Sequence, residues 1–315
     1  PFYLENIPHK FDTRGVIFNR RCHLYKVNIE TGTSSKIIDG DKENIISIGS
    51  VLEHAGSLYF SINVYNDTGT MLEERIIKKT PKGLQTVHSK GMWSKLFSFD
   101  GKLHGVGLKN RFEWPTTTSI HEISDSGKTK KIDENFDRTI VDVKTSENSM
   151  FVLYEDSGKQ LLGKKTKKGI ENLISEEITI TDFMIEDNDI FFIANSFTRN
   201  DEVFKFTELG IEKISKTNDS FHRRVSSHDF TYKRFDTGKS EVDTWGIFVG
   251  KDRPTLLNIH GGPASQYGFT FFDEFQVYAE AGFNVIACNP RGSTGRGHKY
   301  LRDVCGNKWG VNDVH

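Results

Sequence analysis

Two series of hairpin turns recur in step along the first two-thirds of this chain, and that recurrence limits its folds more than any other feature. One unit is an apolar strand, a glycine turn and a second strand ending in a basic–apolar pair. It occurs as Leu24–Ile38 turning at Gly32, Arg75–Val87 at Gly83, Ile120–Ile132 at Gly127, Gln160–Ile174 at Gly169 and Val203–Ile214 at Gly210, with turn glycines 51, 44, 42 and 41 residues apart. The second unit is a hairpin turning at Gly56, Gly101, Asn148 and Asn188, at separations of 45, 47 and 40 residues. Each period therefore holds two hairpins, and four antiparallel strands every ~40–50 residues is the pattern of a β-propeller blade. An open sandwich could hold as many strands but has no reason to keep the period. The spacing predicts a propeller over 1–224, with four full blades between about residues 41 and 216 and the end of an earlier one at 14–40. Closed propellers have ~4–8 blades, so further blades upstream of Pro1 are expected.

Charge and composition exclude several functions. The 315 residues carry 42 Lys+Arg against 43 Asp+Glu, a net charge of −1, which does not suit a protein that neutralises phosphates or coats an anionic membrane. The clusters Lys78–Lys79, Lys128–Lys131 and Lys164–Lys168 sit beside the outer-hairpin turns, where charge discourages edge-to-edge strand pairing. No nucleic-acid or membrane partner is expected. No apolar run approaches the ~18 residues of a membrane span, and Pro1 to Lys10 lacks the layout of a secretory signal. Pro1 stands where an initiator Met would, so a processed or truncated N-terminus is expected. Cys22, Cys288 and Cys305 are odd in number and match no metal or redox spacing. They read as free thiols of a reducing compartment, which predicts a cytoplasmic location.

Beyond Arg224 the pattern changes. Phe230–Phe235 and Val242–Val249 alternate as strands around a turn at Asp236–Lys239. Thr255–Ile259 is a solid apolar run that reads as a buried strand, followed abruptly by His260-Gly261-Gly262-Pro263. Phe271–Ala281 has helical spacing with Gly282 as its stop, Phe283–Cys288 is another short buried strand, Asn289–Gly297 is a glycine-rich loop, and Trp309–His315 opens a further helix. Strand, loop, helix, strand implies a parallel βαβ unit, so 225–315 is expected to begin a second domain of α/β class.

Chemistry concentrates in that second part. A glycine pair directly after a buried strand lets the backbone turn sharply with its N–H groups facing a pocket, the form of the loop that supplies one oxyanion donor in α/β-hydrolases. An ordinary strand-to-loop turn would look the same over four residues. Gly292-Ser293-Thr294-Gly295-Arg296-Gly297 resembles a phosphate loop, but its spacing fits neither nucleotide motif. His260 alone is more often a structural hydrogen-bonder than a base. No His pair has metal-ligand spacing, so neither metal nor cofactor is expected.

Residues 255–313 resemble the opening of the catalytic domain of the prolyl oligopeptidase family of serine peptidases, most of all its acylaminoacyl-peptidase and dipeptidyl-peptidase-like branch. The resemblance rests on His260-Gly261-Gly262-Pro263, Tyr267-Gly268, Phe275-Gln276, Ala279, Gly282-Phe283, Val285, Asn289-Pro290-Arg291-Gly292-Ser293-Thr294-Gly295, Gly297, Gly306, Trp309-Gly310 and Asp313. Arg296 stands where an aromatic is common, and Cys305 lies in a segment that usually ends differently. The resemblance implies a propeller ahead of an α/β-hydrolase domain and a Ser-Asp-His hydrolase of short or acylated peptides. It further implies that Gly262 donates its backbone N–H to the oxyanion, that Gly261 and Pro263 shape the loop and His260 buttresses it, and that Arg291, Gly292, Trp309 and Gly310 are structural, Arg291 bracing the following strand.

The family's nucleophile sits in a Gly-x-Ser-x-Gly elbow, and no Ser of this sequence has Gly at both −2 and +2. The nucleophile, Asp and His of the triad are therefore expected outside these residues, which reads as an incomplete chain, inactive alone. Two other readings stay open at this stage: a propeller-based binding module with a remnant hydrolase segment, and a carboxylesterase sharing the oxyanion loop. A peptide is the expected partner; homo-oligomerisation is left open.

Overall fold

The computed structural model describes residues 8, 10–11, 15–17, 19–174, 176–187, 189–207, 209–308 and 310–311. It divides into two compact units, Pro1–Trp114 with Ser119–Ile132, and Pro115–Thr118 with Asp133–His315.

The first unit holds a two-stranded ribbon of β1 (Lys10–Phe11) and β2 (Gly15–Val16), a hairpin of β3 (Leu24–Val27) and β4 (Ser34–Ile38), and two four-stranded antiparallel sheets. One sheet is β5 (Ile45–His54), β6 (Ser57–Tyr65), β7 (Leu72–Thr80) and β8 (Gly83–His88). The other is β9 (Met92–Phe99), β10 (Lys102–Leu108), β11 (Ser119–Ile123) and β12 (Thr129–Lys131). In each sheet sequential strands pair with their neighbours, the blade pattern that the turn series predicts. Ala55–Gly56 and Asp100–Gly101 each put two successive residues at positive φ, the type of turn whose twist matches that of the strands it joins. The cores show why inner strands read as continuous apolar runs. Ile38, Ile45, Phe60, Ile62, Val64 and Ile77 join β3–β4 to the β5–β8 sheet, while Tyr59, Ile76, Val87, Trp93, Leu96, Leu103 and Ile123 join that sheet to β9–β12. A sheet packed on both faces cannot alternate apolar with polar.

One carboxyl lies in the seam between these two sheets. Glu74 on β7 accepts the Trp93 backbone N–H of β9 at 2.9 Å. Burial pushes its carboxyl up to about 7, against the pull of the Trp93 N–H, Arg111 and the Ser61 hydroxyl. With the unfolded value near 4.5, the folded chain binds this proton more tightly than the unfolded one. The contribution is therefore complete below pH ~4.5 and is lost as pH rises through about 7. We expect the first unit to lose about 2–3 kcal/mol between pH 5 and 8 from this group. Glu74→Gln, which keeps an acceptor but cannot ionise, should flatten that part of the profile in urea titrations at the two pH values. An unchanged pH profile in the variant would show that Glu74 is not the group.

The second unit begins with two more blade sheets: β13 (Ile140–Ser146), β14 (Ser149–Asp156), β15 (Lys159–Thr166) and β16 (Gly169–Asn172), then β17 (Thr179–Glu186), β18 (Asp189–Ser196), β19 (Arg199–Thr207) and β20 (Gly210–Lys213). Phe151, Leu153, Leu162, Ile174, Ile180, Phe183, Ile190, Phe192 and Ala194 pack between them. Asn188, read as a turn residue, lies outside the described residues.

After the short helix α1 (Asp219–His222) the architecture changes to a mixed sheet of β21 (Thr231–Asp236), β22 (Glu241–Ile247), β23 (Thr255–Asn258) and β24 (Asn284–Asn289) in the order β21-β22-β24-β23. β23 and β24 run parallel, joined by α2 (Asp273–Glu280), which buries Phe275 and Ala279. This is the expected βαβ unit. Trp245, Ile247, Tyr267, Phe269, Phe275, Ala279, Val285 and Ala287 form its core together with Phe197 from the β18–β19 turn.

Two expectations need correction. Thr255–Ile259 does not form a buried strand. Among the described residues β23 pairs only with β24, and on its open side Leu257 and Ile259 remain 59% and 74% exposed. An apolar run marks a strand that needs covering, and does not itself show that the cover is present. The glycine-rich loop also ends in a helix, α3 (Gly297–Arg302), which the run of glycines concealed. The helix expected from Trp309 lies almost wholly outside the described residues.

Candidate active site

The loops that follow the two parallel strands, 259–272 after β23 and 290–296 after β24, meet at the C-terminal ends of those strands, where open α/β sheets bind their ligands. Side chains and backbone stitch them together. Asn289, 1% exposed, accepts the Tyr267 N–H at 2.7 Å and returns its own amide to the Tyr267 carbonyl at 2.8 Å. The Thr294 N–H donates to the Ser265 carbonyl at 2.9 Å. The Tyr267 hydroxyl bonds Asn258, and burial, with Glu274 and Cys288 adding, raises it above its ordinary value. Tyr300 from α3 donates to the Asn289 carbonyl at 2.7 Å, and burial pushes its hydroxyl up to about 12.

Gly262 occupies the turn of the first loop with φ +137°, a backbone that side chains rarely adopt, and a Cβ there would lie 2.8 Å from the Ala264 nitrogen. Its N–H belongs to no strand ladder, and among the described residues it has no hydrogen-bond partner. The residue is exposed. An unpaired N–H at the end of a parallel strand is a ready donor to an anionic oxygen. Pro263 lies against Gly292, whose own φ is +102°. Gly261 has open space around it. Arg291 donates to Asp303 at 3.0 Å, so it ties its loop to the end of α3. Gly310 stands in a turn at φ +73° with open space around it, and Trp309 lies outside the described residues.

His260 places Nε2 3.0 Å from Ser293 Oγ, a spacing that would also suit a base and a nucleophile. Ser293 cannot serve as one. It is fully buried, and its hydroxyl donates to the Pro290 carbonyl at 2.7 Å. The other ring nitrogen faces the Gly261 carbonyl at 2.9 Å, where a triad would have a carboxylate.

The turn between β14 and β15, Ser157–Gly158, also belongs to this region. Ser157 donates its N–H to the Gly295 carbonyl at 3.0 Å, Gly158 donates to Gln266 Oε1 at 3.0 Å, and the Gly158 carbonyl accepts the Phe269 N–H at 2.8 Å. A blade turn thus contacts both loops. The only sequence signal was a glycine at a hairpin tip that belongs to neither turn series. Beside it, Asp243 (1% exposed) accepts from Arg234 at 2.7 Å and from Tyr232 at 2.7 Å, and burial together with that carboxylate pushes the Tyr232 hydroxyl up to about 12. Arg296, at the position where an aromatic is common, reaches the same carboxylate at 3.4 Å. Elsewhere, in the first unit, His23, Asp39 and Asp41 bring ligand-type atoms within 4.8 Å of one another, but Lys36 shares Asp39 at 3.6 Å, as in an ordinary surface ion-pair cluster.

The fold defines a class: propeller-blade sheets followed by the opening strands of an α/β-hydrolase sheet, with a glycine-paired loop after its third strand. Residues 269–315 match the sequence model of the prolyl oligopeptidase family. An uncharacterized peptidase of Bacillus subtilis (strain 168), YuxL, is 51% identical over 57 residues, 18% of this chain and 9% of its own length. Dipeptidyl-peptidase 5 of Trichophyton tonsurans is 25% identical over 306 residues, 86% of this chain and 40% of its own. The acylaminoacyl peptidase of Pyrococcus horikoshii has the same fold over 99% of this chain and 50% of its own, with a TM-score of 0.81 at 18% identity. An acylaminoacyl peptidase in complex with Z-Gly-Gly-Phe-chloromethyl ketone matches equally, with a TM-score of 0.81. The family match thus falls on the last 47 residues, 269–315, and the likeness to the solved peptidases over the rest of the chain is one of fold. The chain spans 36–40% of the dipeptidyl-peptidase relatives' lengths and half of the acylaminoacyl peptidase's.

Proposed function

We propose that this chain contributes the substrate-filtering propeller (1–224) and the oxyanion half (225–315) of a serine peptidase acting on short or acylated peptides. The observation that carries the reading is the unpaired Gly262 N–H at the C-terminal end of β23, held at a backbone angle that favours glycine. Such a donor stabilises the charge that develops on a carbonyl oxygen in the transition state, by about 2.7–4 kcal/mol in measured cases. Peptides as substrates are supported by the names of the relatives, which are peptidases.

Within the 315 residues the hydroxyl nearest His260 is buried and committed to Pro290, and there is no Gly-x-Ser-x-Gly. A fluorophosphonate probe should therefore leave this chain unlabelled while labelling a longer protein that also carries the elbow. Covalent labelling of the 315-residue chain would refute its inactivity. On the longer protein, faster cleavage of aminoacyl-nitroanilides than of nitrophenyl esters is the expected result; the reverse preference would make it an esterase.

A further inference from the structure

The hydrogen bonds around His260 pose a problem of proton supply. Nδ1 faces the Gly261 carbonyl at 2.9 Å, which can only accept, so this contact requires a proton on Nδ1. Nε2 faces Ser293 Oγ at 3.0 Å, and the single proton of that hydroxyl is directed at the Pro290 carbonyl at the shorter distance of 2.7 Å. With the hydroxyl proton so committed, Nε2 must donate too. All three contacts are satisfied together only when both ring nitrogens carry hydrogen, that is, in the imidazolium form.

The contact to Gly261 matters because of where its carbonyl lies. The Gly261 C=O and the Gly262 N–H belong to one planar peptide unit and point in opposite directions. A donor that grips the carbonyl therefore aims the N–H. Gly261 has open space around it, and Gly262 makes no described hydrogen bond, so little else holds that plane. When the ring carries one proton, the shorter Ser293–Pro290 bond keeps the hydroxyl proton and Nε2–H serves Ser293. A bare Nδ1 then faces the carbonyl oxygen, and two lone pairs at that distance repel.

We infer that His260 is a positioning residue that aims the Gly262 N–H through the Gly261–Gly262 peptide, and that Ser293 makes this grip depend on protonation: closed with two ring protons, released with one. The inference rests on the reading of Gly262 as the oxyanion donor. Ser293 and Pro290 face the ring from the loop after β24, and the Tyr267 ring meets it edge-on at 5.2 Å from the loop after β23. The titratable groups on those two loops, besides His260, are Tyr267, raised by burial and so neutral through its ordinary range, Arg291, paired with Asp303 at 3.0 Å, and Arg296, which reaches Asp243 at 3.4 Å; Cys288 on β24 is likewise raised by burial.

The test uses the 315-residue chain labelled with 15N at histidine and glycine. Long-range 1H–15N spectra report the protons on each nitrogen of His260, and the Gly262 amide reports the orientation of its plane. On lowering the pH, His260 should pass from the Nε2–H tautomer to the doubly protonated ring, and the Gly262 signal should move with the same midpoint. His260→Asn, whose amide can replace Nδ1–H without titrating, should hold Gly262 near its low-pH position throughout. His260→Gln, which reaches toward Ser293 instead, should hold it near the high-pH position. The idea is overturned if Gly262 stays still while His260 titrates, or if the singly protonated ring carries its hydrogen on Nδ1. Equal Gly262 positions in the Asn and Gln variants would also overturn it, and the wild-type titration alone decides if a variant fails to fold. These signals report geometry and not turnover. A failure here leaves the oxyanion assignment standing, whereas an error in that assignment would appear as undiminished turnover when Gly262 is altered in a longer enzyme.

Discussion

Gly268→Ala should destabilise the second unit by about 3 kcal/mol or more, beyond the usual cost of overpacking a core. A Cβ on residue 268 would sit 1.7 Å from the Gly158 carbonyl oxygen and 2.4 Å from its carbon. Both are backbone atoms of a tight turn, and no rotamer change removes the clash. To make room, the β14–β15 turn must withdraw from the loop after β23, which breaks the Phe269–Gly158 hydrogen bond of 2.8 Å and the Gly158–Gln266 bond of 3.0 Å. It also opens the packing around Trp245, which is 1% exposed and lies against the same turn. Gly261→Ala is the contrasting case, with nothing within 4 Å of the added methyl and no left-handed backbone. It should match the wild type or gain up to about 1 kcal/mol from the restricted unfolded chain. Urea unfolding of the two variants compares them directly. A Gly268→Ala protein unfolding at the wild-type midpoint would mean that the turn and loop are not in contact.

The second large effect concerns catalysis in a longer protein that contains this chain and the nucleophile. There Gly262→Ala should lower kcat by about 10²–10³-fold, the range measured when one oxyanion donor is lost. Alanine keeps the N–H but cannot comfortably hold φ +137°, and its methyl would press on the Ala264 nitrogen at 2.8 Å. The peptide must rotate, and the donor leaves its direction. KM should change little, because the charge that the N–H meets develops only in the transition state. Titration of active sites with a fluorophosphonate counts intact nucleophiles and separates this outcome from misfolding. An unchanged kcat at full site occupancy would remove Gly262 from the machinery.

Much of the blade architecture was legible because strand and turn are local properties. A hairpin with glycine at its tip announces itself over a dozen residues, and repetition removes the ambiguity of a single instance. The βαβ unit was legible for the same reason, through the apolar runs around 256 and 286 and the helical spacing between them. Where the reading missed, a local signal was serving a distant partner. Thr255–Ile259 is apolar enough for a buried strand, yet whether a run is covered depends on a neighbour that its own residues do not encode. Gly297 closed a glycine-rich loop and also opened α3, and glycine composition concealed the second role. Gly158 was one turn glycine among many until the fold set it against Gly268.

For the site, His260 to Pro263 fitted an oxyanion loop and an ordinary turn equally well, and the choice of Gly262 as the expected donor came from the family resemblance across 255–313. What joins that loop to Ser293, Asn289 and Thr294 lies some thirty residues further on and depends on two parallel strands lying side by side. Sequence alone thus determined most of the strands and the turns, which follow from steric limits on a few adjacent residues. Only the tertiary structure decided that Ser293 is a buried strut on Pro290, that Arg291 ties its loop to the end of α3, and that His260 lies between Ser293 and the Gly261 carbonyl. Those roles depend on the direction of a hydrogen bond, and direction exists only once distant segments have been brought within 3 Å of each other.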